Sequence, residues 1–524
     1  MSRILLTSLF LSMLYFSSEA QNTFNKQYYF DGIAAIGNGV HVTDSCYYIS
    51  GLVVDTIADG VYDGLMFGKL DLEGNLQEYS LHLDSLSDYE NWNTPLLFND
   101  NAFTSVGFGK DSFTYLYWLR LDNNGEKIDE KKYRSPFSPD DWFIHPYGVE
   151  YSSLDKRYYI VSDVGYYLPS GVLNGEFSVL CLDSMGNKLW DETYGNSWMD
   201  TPLSLISLSD STIVIGTSLS NYNLTFLNKI YQTQLVAIDT SGQVQWTWTS
   251  TSQIQQGAND ILIEEDGDLI VASAGGFLEY VNAATRIMLW DRGLIFKLNE
   301  NRETEWECEF TEPGATFENR LTKIIKAADN SGYIAAGQMR VWLNEDDASL
   351  LGWLVKVSPE GDSLWSRRLF YYEQPDSIEY EHHIHDLQAT PDGGYFMSGY
   401  TLDRAAGATP PRQRAWFIKV DSEGCLIPGC GLVDTESPNE EGPALLIYPN
   451  PADQYLNIYL GDNSGQEWTF LVLDGVGRQL GRYEAPLGQT TYMVPVGNYP
   501  AGGYYLQVVD ELGKRLKTYS WVKG

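Results

Sequence analysis

The chain has 524 residues, with 34 Lys and Arg against 70 Asp and Glu, a formal net charge of −36. A surface this acidic repels nucleic acid and anionic lipid; solubility is the preferred explanation of the excess, over attraction of a cationic ligand. Five cysteines in so long a chain are too few for a disulfide-framework protein.

Met1-Ser2-Arg3, the apolar run Ile4 to Phe16 and the small-residue stretch Ser17-Ser18-Glu19-Ala20 read as a cleavable secretory signal over residues 1–20. The run is shorter than a membrane span, and no later segment reaches roughly 18 uninterrupted apolar residues, so no transmembrane helix is expected. The mature chain then starts near Gln21, outside the cytoplasm.

From Gly32 to Cys430 one unit recurs, clearest as Gly332-Tyr333-Ile334-Ala335-Ala336-Gly337 followed by Trp353-Leu354-Val355-Lys356-Val357, and again as Gly394 to Gly399 followed by Trp416 to Val420. The turn after its third strand ends at Gly74, Gly125, Gly186, Gly242, Arg302, Gly361 and Gly424, which makes seven units. Arginine resists positive φ, so the Arg302 copy is expected to use another turn geometry. Each unit offers four strands, A to D, with a tryptophan such as Trp190, Trp246, Trp306 or Trp365 in the last, placed for packing. One such sheet cannot bury enough apolar area alone, whereas sheets packed face to face around an axis can. The expectation is a seven-bladed β-propeller over residues 21–430. The seventh unit lacks a fourth strand, and Phe24 to Phe30 is a spare one. That segment should pair beside Trp416 to Val420 and close the ring.

The A–B and C–D turns are tight, as at Asp266-Gly267. Length variation falls in the other connections: Thr217 to Tyr231, Gly275 to Arg292, Gln338 to Leu351 and Thr401 to Arg414. A ligand site is expected on that loop-rich face, near the central opening. His382, His383 and His385 crowd together beside Glu381 and Asp386. His383, His385 and Asp386 are weak metal candidates, and a solvated strand start in a polar loop is the preferred reading. Glu264 to Asp268 and Glu345-Asp346-Asp347 lack an EF-hand ligand series and read as hairpin and loop. No nucleophile elbow, His-Glu-x-x-His or phosphate loop occurs, so no catalytic residue is assigned and no cofactor is expected.

Cys425 and Cys430 enclose a turn after the last repeat and are the candidate disulfide, while Cys46, Cys181 and Cys308 fall in expected strands as small buried groups. Residues 431–443, with Asp-Thr-Glu-Ser-Pro-Asn-Glu-Glu, form a polar linker. Beyond it, residues 445–524 carry six basic and seven acidic side chains, so the negative charge belongs to the repeats.

Residues 444–524 contain Tyr448-Pro449-Asn450-Pro451, the alternating run Tyr455 to Tyr459 and Tyr499-Pro500-Ala501-Gly502-Gly503-Tyr504. Short period-two runs bounded by Asp474-Gly475, Gly477 and Gly513 read as a small immunoglobulin-like β-sandwich. The order of motifs resembles the type A sorting domain of the type IX secretion system of Bacteroidota. That resemblance implies recognition by the secretion machinery, removal by a sortase-like peptidase, and either attachment to surface lipopolysaccharide or release. The resulting expectation is a secreted or cell-surface binding module for protein or glycan. An extracellular hydrolase or lyase of polysaccharide or peptide, acting at the propeller axis, is the alternative, and it needs convergent ionisable residues there.

Overall fold

The computed structural model describes residues 21–426 and 445–523, except 31, 58–59, 84–88, 91–93, 111–113, 135–142, 168–172, 196–199, 209–210, 223–228, 253–254, 256, 283–284, 311–318, 343–347, 372–379, 405–411, 449–451, 453, 461–467, 475–477, 490, 501 and 510–514. The described elements are all β-strands, and no helix among them is long and apolar enough to cross a membrane. The expected signal segment, the linker, Cys430, Pro449, Asn450, Pro451 and Glu345 to Asp347 lie outside the described residues.

β1 (Phe24–Tyr28) precedes a propeller-like series of antiparallel sheets, each built from consecutive strands. The first holds β2 (Ala34–Val42), β3 (Tyr47–Ile57), β4 (Gly60–Leu70) and β5 (Leu76–His82). The second holds β6 (Leu97–Asn99), β7 (Ala102–Lys110), β8 (Thr114–Leu121) and β9 (Lys127–Arg134). The third holds β10 (Phe143–Ser152), β11 (Arg157–Tyr167), β12 (Leu173–Asp183) and β13 (Lys188–Tyr194). The fourth holds β14 (Asp200–Ser207), β15 (Ile213–Tyr222), β16 (Lys229–Ile238) and β17 (Val244–Thr249), and the fifth β18 (Asp260–Ile263), β19 (Leu269–Asn282), β20 (Thr285–Leu298) and β21 (Thr304–Phe310). Next come β22 (Arg320–Lys326), β23 (Tyr333–Trp342), β24 (Ala348–Val357) and β25 (Ser363–Leu369), then β26 (Tyr380–Ala389), β27 (Tyr395–Asp403) and β28 (Arg412–Val420). These last two groups touch through one parallel pair, Leu350 and Glu381, and so count as one sheet of eight with β1.

The repeated turn has a local cause. In Asp183-Ser184-Met185-Gly186 the Asp183 Oδ1 accepts the N–H groups of Met185 at 2.9 Å and Asn187 at 2.8 Å. Asp71, Asp122, Asp239, Asn299, Ser358 and Asp421 do the same, so one side-chain oxygen satisfies two donors that the hairpin leaves unpaired. The closing residue adopts positive φ, 93° at Gly361, where a Cβ would also lie 2.6 Å from the Trp306 ring of the preceding sheet. Glycine there answers both a backbone and a packing demand.

Arg302 corrects the expectation of a different turn. It takes φ 65° in the same geometry, with its N–H donating to Asn299 O at 2.8 Å. Its guanidinium lies 4.5 Å from the Trp246 ring and reaches Gly267 O, which offsets the strain of the left-handed backbone. The recurrent tryptophans are thus docking surfaces for the next unit's turn. Trp190 Nε1 donates to Thr240 O at 2.9 Å and Trp306 Nε1 to Pro359 O at 3.1 Å.

Neighbouring sheets share apolar clusters. Ile270 and Ile295 pack with Leu321, Trp353 and Val355 of the following group, while Tyr159 and Val179 pack with Ile215 and Val236. Each such aliphatic side chain contributes about 1.5–3 kcal/mol when fully buried. At the seam β1 pairs antiparallel with β28, Gln27 opposite Trp416 and Phe24 opposite Lys419, as the spare strand required. Trp416 Nε1 donates to Asn25 Oδ1 at 2.6 Å, and the nearly inaccessible Lys419 ammonium reaches Asn22 O and Asp392 Oδ2, each at 2.6 Å. Phe24 and Tyr28 share a cluster with Tyr47 from the first sheet and Phe396 and Phe417 from the last.

One of the length-variable inserts is a longer pair of strands rather than a loop. Gly275 to Arg292 lies largely within the β19–β20 ribbon, with Phe277 opposite Leu289 and Asn282 opposite Thr285. Unpaired backbone in a long loop is replaced by a hydrogen-bonded ladder.

In the C-terminal segment β29 (Leu446–Tyr448), β30 (Tyr455–Tyr459) and β33 (Thr491–Pro495) form one sheet. The other runs β32 (Gln479–Ala485), β31 (Trp468–Asp474), β34 (Gly502–Val509) and β35 (Arg515–Lys523). They share one core, with Leu456, Ile458 and Val494 against Phe470, Val472, Leu506 and Trp521. Tyr504 stacks on Trp521 at 4.9 Å and on Tyr499 at 5.6 Å, and its hydroxyl donates to Pro500 O at 2.7 Å. Gly502 and Gly503 have no atoms near the position of an added Cβ.

Candidate functional site

The first strand of most sheets carries one extra residue. The pairing register slips at Asn38, Tyr147, Leu203, Thr322 and His385, each flanked by regularly paired neighbours. A bulge turns two successive side chains toward the same side. Here it aims Thr322 with Lys323, and His385 with Asp386, inward. These strands surround a cavity of about 350 Å³. Its wall is mixed: Asn259, Asp260, Arg320, Thr322, Lys323, Gln338, His385, Tyr147 and Ser204 bring polar groups, and Pro95, Val149, Leu203, Leu205 and Ile384 apolar ones.

Adjacent first strands are stitched by side chains. Asp260 Oδ2 accepts Ile324 N–H and Asp386 Oδ2 accepts Val40 N–H, both at 2.9 Å. Asn259 Nδ2 donates to Leu321 O at 2.8 Å, Thr322 Oγ1 to Ile384 O at 3.0 Å, and Ser204 Oγ to Ala258 O at 2.8 Å. Glu150 accepts from Ser207 Oγ at 2.7 Å. Between the two aspartates stands Lys323, its Nζ 3.7 Å from Asp260 Oδ1 and 3.9 Å from Asp386 Oδ1. Both separations exceed hydrogen-bond length. Lys323 lines the cavity, and its side chain is 23 % exposed.

Charge and burial oppose one another here. Burial alone would lower the Lys323 pKa, and the carboxylates of Asp260 and Asp386 reverse that and raise it. Burial holds Asp260, Asp386 and Glu150 above the usual carboxylate range, against the pull of Lys323 and their own hydrogen bonds. Burial pushes Tyr147 up to about 12.

The histidine cluster does not lie in a solvated loop. It sits on β26, where His382 is 1 % exposed and its Nδ1 lies 3.0 Å from Leu350 O. Burial lowers His382 to about 4 and His385 to about 3, so both are neutral at ordinary pH. His383 and His385 face the same way, 6.4 Å apart, around Tyr400, on which His383 stacks at 4.3 Å. His383 contacts Gln338 Oε1 at 2.7 Å and Glu381 Oε2 at 3.1 Å, and His385 contacts Asn38 Oδ1 at 2.9 Å. Asp386 is occupied by backbone N–H groups. Among the described residues no group of three or more His, Cys, Asp or Glu is placed to hold a metal ion.

Sequence reading placed the site near the central opening but missed Asp260 and Lys323. Their trace was available: Asn259-Asp260, Thr322-Lys323 and His385-Asp386 occupy one register position in three consecutive units. Glu264 to Asp268 forms the tight β18–β19 hairpin, with Gly267 N–H donating to Glu264 O at 3.0 Å. Cys425 is buried and disulfide-bonded, while Cys46, Cys181 and Cys308 are buried and free. Burial pushes Cys181 up to about 12 and Cys308 to about 11, which makes them poor nucleophiles.

Comparison with solved structures gives distant likenesses. An apocarotenoid oxygenase of Synechocystis is 10 % identical, with TM-score 0.37, over 76 % of this chain and 94 % of that one. The β-propeller domain of the Trilobed protease from Pyrococcus furiosus is 6 % identical, TM-score 0.38, over 75 % and 96 %. The periplasmic gluconolactonase of Pseudomonas aeruginosa is 11 % identical, TM-score 0.33, over 79 % and 94 %. At these scores none informs the chemistry of the cavity. No curated protein matches the chain. A family model for the secretion system C-terminal sorting domain matches residues 446–519, the segment that folds as the two sheets around Trp521. Residues 446–519 are a type IX sorting domain, and the chain that carries them is exported to the cell surface or beyond.

Proposed function

We propose that the protein is an exported binding module: a seven-bladed propeller over residues 21–430 that takes its ligand at the axial cavity, joined by a linker at 431–443 to an immunoglobulin-like sorting domain at 444–524. On this reading residues 1–20 are a secretory signal, Cys425 pairs with Cys430 to fasten the last turn, and the sorting domain is removed by a sortase-like peptidase of a Bacteroidota-type cell. Tyr448, Pro449, Asn450 and Pro451 open the recognised module, and Tyr499, Pro500, Gly502, Gly503 and Tyr504 close it. Attachment to lipopolysaccharide or free release then follows. The observation that carries the binding role is the polar cavity framed by the first strands of successive sheets, with Lys323 open to it.

The alternative is hydrolysis or lysis of polysaccharide or peptide at the same place. It is favoured by two carboxyl groups, the half-buried Asp260 and the buried Asp386, flanking one ammonium. Against it, each carboxylate already accepts a backbone N–H of the adjoining strand, which fits stitching better than proton transfer. The deciding experiment presents the full-length chain to glycan and protein arrays beside a broad hydrolase screen. Saturable binding without turnover is expected. Turnover abolished by Asp386→Asn would replace this reading with the enzymatic one, and silence in both assays would leave a scaffold.

A further inference from the structure

Resting on that reading, we infer that the axial cavity binds a neutral sugar residue, the terminal unit of an uncharged glycan, with Lys323 and Asp260 engaging its hydroxyl groups and the Leu203 and Leu205 side facing its C–H surface.

The wall is amphipathic in the way a pyranose is. Hydrogen-bonding groups come chiefly from Asn259, Asp260, Thr322, Lys323 and His385, and aliphatic groups from Leu203, Leu205, Val149 and Ile384. A sugar ring offers hydroxyls around its edge and C–H bonds on its faces. Lys323 supplies N–H donors at no closer than 3.7 Å to either carboxylate, so an acceptor entering the cavity meets a buried ammonium whose protein partners leave room for it. A hydroxyl is both donor and acceptor. It can accept from Lys323 and donate to Asp260 Oδ1, bridging a gap too long for the two to close directly.

Charge selects against an acidic sugar. Lys323 already stands among the carboxyl groups of Asp260, Asp386 and Glu150, which outnumber it. A further carboxylate would add to that excess. The chain's net charge of −36 repels a polyanionic chain before it arrives. A volume of about 350 Å³ stands at the small end of ligand pockets. It suits one sugar residue, with the rest of the glycan leading out over the face that bears the ribbons.

The test uses the full-length chain on an array of neutral hexose oligosaccharides and uronate-bearing oligosaccharides, with affinities then measured by calorimetry. Lys323→Met removes the ammonium, and Leu203→Arg fills the cavity while leaving Lys323 and Asp260 in place. Should Lys323→Met fail to fold, as judged by thermal melting, Leu203→Arg decides alone. Neutral oligosaccharides should bind, and each folded variant should bind them at least about tenfold more weakly, Lys323→Met by losing one charge-assisted hydrogen bond and Leu203→Arg by occupying the space. Binding confined to uronate-bearing chains overturns the neutral assignment. Neutral binding unchanged in both variants moves the site off the axis. Binding only to a protein overturns the glycan inference while leaving a binding module, and absence of any ligand defeats both.

Discussion

At the scale of single residues, Lys323 is the most consequential side chain. Removing one member of a buried charge cluster leaves the others uncompensated, typically a cost of about 3–5 kcal/mol. Asp260, Asp386 and Glu150 have folded pKa values raised above their unfolded ones, so the folded state binds more protons in that window. Their contribution to stability therefore falls as pH rises from about 4 through the raised values. His382 and His385 act oppositely: depressed in the fold, they cost stability as pH drops below about 6.5. In a difference between Lys323→Met and the parent the histidine contribution cancels. The variant should lose more stability at pH 7.5 than at pH 5, measured by urea unfolding; an equal loss at both would show that the aspartates do not sense Lys323. Arg302 offers a second residue test. Arg302→Ala keeps the left-handed backbone and loses the Trp246 stack, a cost of about 0.5–1 kcal/mol. Arg302→Gly loses the same stack but relieves strain of similar size, so its melting temperature should lie near the parent's. A glycine variant less stable than the alanine one would contradict this account.

At the scale of elements, the seam decides whether the ring holds. β1 gives its hydrogen bonds to β28, and without it β28 would present an open edge, a template for association between chains. Deletion of residues 21–30 should turn a soluble product into an aggregating one. A finer probe is Trp416→Phe, which forfeits the 2.6 Å bond to Asn25 for about 1 kcal/mol. It should also speed proteolytic clipping of the N-terminal segment, read by mass spectrometry. The comparison is Trp353→Phe, which loses a 2.8 Å bond to Ser366 Oγ within one group of strands and should leave clipping unchanged. Element-level features were legible to different degrees. The turns could be read because an Asp oxygen and a glycine answer needs met within five residues. The insert from Gly275 to Arg292 was misread because length variation says nothing of whether two strands continue pairing outward, as β19 and β20 do.

For the molecule as a whole, two units with separate tasks share one chain. Export depends on residues 446–519, so deletion of 446–524 should leave the repeat domain folded yet behind the outer membrane, checked by cell fractionation and by its protection from protease added to intact cells. Surface display of the truncated chain would refute that dependence. The sequence by itself determined the repeat, its strand and turn grammar, the spare strand that seals the array and the sorting tag, because each rests on neighbours in the chain: period-two patterning, turn chemistry, contiguous motifs. Only the tertiary structure decided the site. The bulge at Thr322 shifts the inward face of β22 by one residue, so alternation counted along the sequence points away from Lys323. The same packing buried His382 and His385, which their polar surroundings in sequence had suggested were solvated. Groups from different units meet only when successive sheets stand side by side: the repeat marks their shared register position but not their approach.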